Sequence, residues 1–121
     1  MSARELPPNV QQQILRLQQL QQSLAVLLTE KQRVEAELSE VTSALEEIGK
    51  LDDSAVVYKA VGPVLVQTSK EKMVSELNER KELADTRLKV LERQEARARS
   101  QIDSLQTEVQ RLLTGGQPAS E

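Results

Sequence analysis

Four acidic residues stand in adjacent pairs, Glu46-Glu47 and Asp52-Asp53. Paired carboxylates can do general acid–base work only if one stays protonated while its neighbour is ionised, and nothing near these pairs would separate them in that way. Gly49-Lys50 lacks the remainder of a phosphate-binding loop, since Leu51 stands where Ser or Thr is needed. Between residues 70 and 99, Lys70, Lys72, Arg80, Lys81, Arg87, Lys89, Arg93, Arg97 and Arg99 could meet phosphates, but seven acids are interleaved with them. No basic block leads into a zipper there, so the stretch reads as a solvated face. The sequence has no His and no Cys, which excludes a zinc site, a disulfide frame and a thiol or imidazole catalyst. A net charge of −3 and a single aromatic residue, Tyr58, argue against a nucleic-acid partner. These residues predict no enzyme, no cofactor and no metal.

The elements that would carry function are helical. The 121 residues are rich in Gln, Leu, Glu, Val, Arg and Lys, a long-helix composition. Positions 10, 13, 17, 20, 24, 27, 31, 34, 38, 41, 45 and 48 alternate steps of three and four, and ten of the twelve are apolar. Positions 74, 77, 81, 84, 88, 91, 95, 98, 102, 105, 109 and 112 do the same, again with ten of twelve apolar. Each set is a coiled-coil seam. Pro7-Pro8 suits the start of a first helix over 8–48, with Gly49 just past its end. Thr68 and Glu71 have capping-box spacing for a second helix over 70–113. Each seam spans roughly 57 Å at the helical rise. Equal seams predict antiparallel pairing, with partner positions summing to about 122. The seam charges Lys31 and Glu95 then fall close together, either as a pair or as two side chains reaching outward. Residues 114–121 read as a frayed tail, and the whole of 1–121 as one domain.

Residues 50–69 differ. Val56-Val57-Tyr58-Lys59-Ala60-Val61 and Val64-Leu65-Val66-Gln67-Thr68 flank Gly62-Pro63, which predicts a β-hairpin with positive φ at Gly62. One face would carry Val57, Val61, Val64 and Val66 around Lys59; the other, Val56, Tyr58, Ala60 and Leu65. Both faces are mostly apolar and both edges are open, so the hairpin is expected to need other strands. Val56, Val57, Tyr58, Val61, Gly62, Val64, Leu65 and Val66 are therefore the candidate assembly residues.

Two long helices bracketing one valine-rich hairpin resemble the beta-type subunit of the prefoldin family, most closely its archaeal form. The resemblance is carried by Leu51-Asp52-Asp53, Val56-Val57-Tyr58-Lys59, Val61-Gly62, Leu91-Glu92-Arg93-Gln94-Glu95 and the Gln-rich start after Pro7-Pro8. It implies a mainly α fold in which hairpins join into a β-barrel. It also implies a hexamer of two alpha and four beta subunits acting as a cytoplasmic, ATP-independent chaperone. Such complexes hold unfolded proteins at coiled-coil tips and deliver them to a group II chaperonin.

The segment between Glu5 and Glu30 fits that role, with seven Gln, one charged residue (Arg16) and apolar residues beyond the seam. An uncharged, adaptable apolar surface suits clients of no fixed sequence, although Gln also serves plain helix solubility. With the hairpin mid-sequence, both ends of the coil should meet at the far end. Val10, Ile14, Leu15 and Leu17 there join Leu105, Val109, Leu112 and Leu113 as candidate client contacts. A structural adaptor binding one fixed helix is the alternative, but it has no use for the hairpin. The longest apolar run, residues 24–28, is too short for a membrane span, and the start has no signal-peptide pattern. A soluble, cytoplasmic protein is expected.

Overall fold

The computed structural model describes residues 6–115. Helix α1 (Pro8–Gly49) begins where sequence physics allows a start. Pro8 has no N–H to leave unpaired, and the Pro7 carbonyl accepts the N–H groups of Val10 and Gln11, both at 3.0 Å. A hairpin of β1 (Val56–Val61) and β2 (Val64–Ser69) follows, and then helix α2 (Lys70–Leu113). Two long helices with an antiparallel hairpin between them are the architecture that the spacing predicts.

Every described seam position is buried or half-buried. The buried residues are Val10, Val34, Val41, Ile48, Leu77, Ala84, Leu91, Ala98, Ile102 and Val109, and all ten lie on the two seams. The described residues divide into two compact units: those up to Glu30 with those from Leu91, and Lys31–Val90. In the second unit Val41, Ile48 and Leu77 form a cluster closed by Ala44, Leu45, Met73 and Val74. Glu37 of α1 meets Arg80 of α2 at 3.8 Å. In the first, Arg16 and Leu20 lie with Ser104 and Leu105, while Val26 and Leu27 lie with Gln94 and Arg97. Within each unit, rising numbers on α1 meet falling numbers on α2, which is antiparallel pairing.

Two termini depart from the sequence reading. Gly49 is the last helical residue rather than the one beyond it, and its φ is not positive. The end tightens instead through three-residue bonds from Lys50 N to Glu47 O (3.2 Å) and from Leu51 N to Ile48 O (3.1 Å). Lys70 completes it: its Nζ donates to the Leu51 carbonyl at 2.7 Å and to Asp53 Oδ1 at 3.2 Å. A cation placed there also favours the negative end of the α1 dipole, which has no basic residue in its own last turn.

The second departure is the cap of α2. Thr68 lies in β2, and the capping group is Ser69, whose Oγ accepts the Lys72 N–H at 3.1 Å. Ser69→Ala should cost about 1 kcal/mol of stability. Thr68→Val, which keeps the β-branched shape, should leave the urea unfolding midpoint nearly unchanged. Equal losses for the two variants would reassign the cap.

At the hairpin turn Gly62 has φ of 57°. Pro63 fixes its own φ near −65°, so the signs are those of a type II′ turn. The register pairs Val61 with Val64, Lys59 with Val66 and Val57 with Thr68.

Candidate functional site

Because side chains alternate across a strand, the register places Val57, Lys59, Val61, Val64, Val66 and Thr68 on one face. The helices cover only the near end of that face. Val57 packs on the Val41–Ile48–Leu77 cluster, and Lys59 Nζ donates to Glu76 Oε1 of α2 at 2.7 Å. Val61, Val64 and Val66, nearer the turn, stay exposed. On the opposite face Val56, Tyr58 and Leu65 are exposed, Leu65 by 69%. Among the described residues the sheet has two strands, so both of its edges are open. Of the predicted assembly residues, Val57 is thus tied into its own chain. The others, Gly62 among them, are exposed.

The predicted client contacts divide more sharply. Val10 and Val109 are 3% and 7% exposed and belong to the helix–helix interior. Ile14, Leu17, Leu105 and Leu112 are half-buried. Leu15 and Leu113 are open to solvent, at 55% and 50%. A seam position packs on the partner helix, so the buried Val10 and Val109 are closed off from solvent while the helices stay together. Within the helices two exposed apolar residues were missed, Val26 on α1 and Leu83 on α2. Both fall between seam positions, and apolar character off the seam was the signal that could have found them.

Lys31 and Glu95 are half-buried at their seam positions. Glu95 accepts a hydrogen bond from Arg99 Nε, 2.9 Å away on the same helix. Near the end of α2, Arg111 clasps Glu108 through Nε (3.2 Å) and Nη2 (2.6 Å). The Arg111 hydrogen bonds hold the Glu108 carboxyl below the ordinary carboxylate value, and Glu108 in turn raises Arg111. A carboxyl lowered on folding stabilises the folded state above its unfolded pKa, and that contribution is lost as pH falls through the folded value. Glu108→Gln should therefore lower the melting temperature slightly at neutral pH and low salt. The gap should close in acid, as pH falls through the lowered Glu108 value, and in high salt. A gap that survives acid would show that the ion pair is not its cause.

The Asp53 carboxylate faces Lys70, and Glu47 pairs with Lys50 at 3.3 Å across exposed surface. One member of each acidic pair, Glu47 and Asp53, thus meets a lysine beside a helix end. Among the described residues no helix is long and apolar enough to cross a membrane.

Residues 11–116 match the family model described as prefoldin subunit. The chain belongs to the prefoldin family. Prefoldin subunits are chaperones and not enzymes, and this prefoldin chain shares that role. It is 46% identical over 110 residues to prefoldin subunit beta of Archaeoglobus fulgidus, covering 91% of this chain and 95% of that one. Against prefoldin subunit beta of Pyrococcus furiosus the identity is 44% over 108 residues, covering 89% and 92%. The crystal structure of the prefoldin beta subunit from Thermococcus strain KS-1 superposes with a TM-score of 0.83 at 42% identity, covering 90% of this chain and 96% of that one. The beta2 subunit from the same strain, at 20% identity and a TM-score of 0.68, shares the fold over 75% of this chain and 97% of its own.

Proposed function

We propose that this chain is a beta-type subunit that joins alpha-type and further beta-type subunits, two alpha to four beta, through its hairpin. The observation that carries this reading is the hairpin itself: two strands with open edges and exposed Val56, Tyr58, Val61, Val64, Leu65 and Val66. An isolated hairpin of this kind is marginal in water, and closure with other strands into a barrel covers both its edges and its apolar faces. A fixed-partner adaptor would leave that surface without a purpose.

In this reading residues 1–121 act as one functional unit in the cytoplasm. The assembled protein holds unfolded clients without nucleotide at the coil ends and passes them to a group II chaperonin. Leu15 and Leu113 are the first contacts, with Ile14, Leu17, Leu105 and Leu112 widening the surface. Val10 and Val109 keep the helix ends closed and reach a client only where the ends part. The Gln-rich start of α1 keeps this apolar surface soluble without charges that would select among clients.

The test mixes purified chain with an alpha-type prefoldin subunit. Native mass spectrometry should give six subunits in the two-to-four ratio. The complex should also suppress aggregation of unrelated denatured proteins with no nucleotide present. A chain that stays monomeric with the alpha-type subunit, or a complex that protects nothing, would refute the reading.

A further inference from the structure

Two open hollows lie on the flank of the unit that contains residues up to Glu30 and from Leu91. One, of about 460 Å³, is lined by Leu20, Val26 and Leu27 of α1 and by Arg97, Ala98 and Gln101 of α2, among others. The second, of about 300 Å³, has Arg16, Leu20, Gln101 and Leu105 in its lining. Leu20 and Gln101 border both, so the hollows form one continuous groove. From Arg16 to Val26 it runs about 15 Å by the helical rise.

The walls and the charges of this groove are unusual together. From Leu17 to Thr29 the α1 side contains no ionisable residue, and Val26 stands 69% exposed within it. Arg16 marks one end and Arg97 the other. Neither makes an ion pair or a side-chain hydrogen bond among the described residues. By contrast, Arg99 and Arg111 on α2 are each held by a glutamate. The one carboxylate in the lining, Glu108, is already taken by Arg111. The groove therefore offers apolar contact area between two guanidinium groups that lack counter-charges.

We propose that this groove docks amphipathic client segments whose apolar side chains are flanked by carboxylates about 15 Å apart, close to ten residues along a helix. The apolar wall supplies contact area. Each guanidinium accepts a carboxylate in forked geometry and repels a basic segment, so the groove selects by charge where the coil ends do not. This inference rests on the chaperone reading and narrows which parts of a client the protein holds.

The test uses the full-length assembled protein and two fluorescein-labelled amphipathic helical peptides with the same leucine stripe. One carries Glu at two flanking positions ten residues apart, the other Lys. Fluorescence anisotropy at low salt should show the Glu peptide binding roughly tenfold more tightly, the scale of two exposed charge pairs and the matching repulsions. The preference should shrink as salt rises. Arg16→Gln with Arg97→Gln should bring the two peptides within about twofold, and Val26→Ser should weaken both. Equal binding of the peptides by the unaltered protein, or a preference that survives the double substitution, would overturn the proposal. Aggregation suppression of an unrelated denatured protein is read in parallel. Protection without peptide preference removes the groove and leaves the chaperone reading standing; preference without protection removes the chaperone reading and leaves the groove.

Discussion

Val64→Asp together with Leu65→Asp should reduce the complex to single subunits while leaving the helices intact. The two side chains point to opposite faces of the hairpin, and neither is covered within its own chain. Strand-to-strand closure would bury both carboxylates, and the one cation on either face, Lys59, is already bonded to Glu76; an uncompensated buried charge costs about 3–5 kcal/mol. Each 1.4 kcal/mol is a tenfold change in a dissociation constant, so association should weaken by at least a hundredfold. Sedimentation velocity reads the loss, and far-UV circular dichroism checks that helix content is kept. Val57 is a poorer site for this experiment, because an Asp there would also break its contact with the Val41–Ile48–Leu77 cluster. An oligomer of unchanged size would refute assembly through the hairpin.

Trimming the chain to residues 20–103 should have the converse effect, with assembly kept and client holding lost. The hairpin and the cluster beside it lie within Lys31–Val90, so the cut leaves that unit whole. It removes Leu15 and Leu113, the two most exposed of the predicted client residues, along with the half-buried ones around them. Several weak apolar contacts on one platform hold a client through avidity, so losing them on every subunit at once should reduce protection to background. Leu15→Ser with Leu113→Ser is the gentler version. Both side chains already face water, so holding should weaken with little change in melting temperature. If the trimmed, still-assembled protein protects denatured clients as well as the full chain, the coil ends are not the holding surface.

The helices and the register of the hairpin were legible in the sequence because each rests on a strict spacing. Steps of three and four can be satisfied only by a helix that buries one stripe, and Leu91 and Val34, deep in the interior, lie on that stripe. A two-residue Gly62-Pro63 turn leaves one register open to its strands, which fixed Val57 opposite Thr68. What could not be read depends on events at the ends of elements. Thr68 and Ser69 are adjacent hydroxyls, and a one-residue difference in where the strand stops decides which of them caps α2. Alternation showed that the hairpin has two apolar faces but not which face the helices touch, so the tethering of Val57 and Lys59 was out of reach. Which of the proposed client residues face solvent was the least legible part. An apolar residue at a helix end serves the seam or a client by its angle around the helix, and Val10 and Leu15 differ in that angle far more than in chemistry.

The junction where the helices give way to the hairpin is made from few parts. Lys59 reaches Glu76, Lys70 reaches the Leu51 carbonyl and Asp53, and Val57 makes the apolar contact. Two of those three links are ammonium contacts, one half-buried and one on the exposed Asp53, and such links weaken as ions screen them. The seams on either side are apolar and salts that promote burial strengthen them. Ionic conditions thus act in opposite directions on the two kinds of link: concentrated salt of that kind firms the apolar seams and the Val57 contact while loosening the ammonium contacts. Within this junction the solution sets how much of the hold falls to the apolar Val57 contact and how much to the ammonium groups.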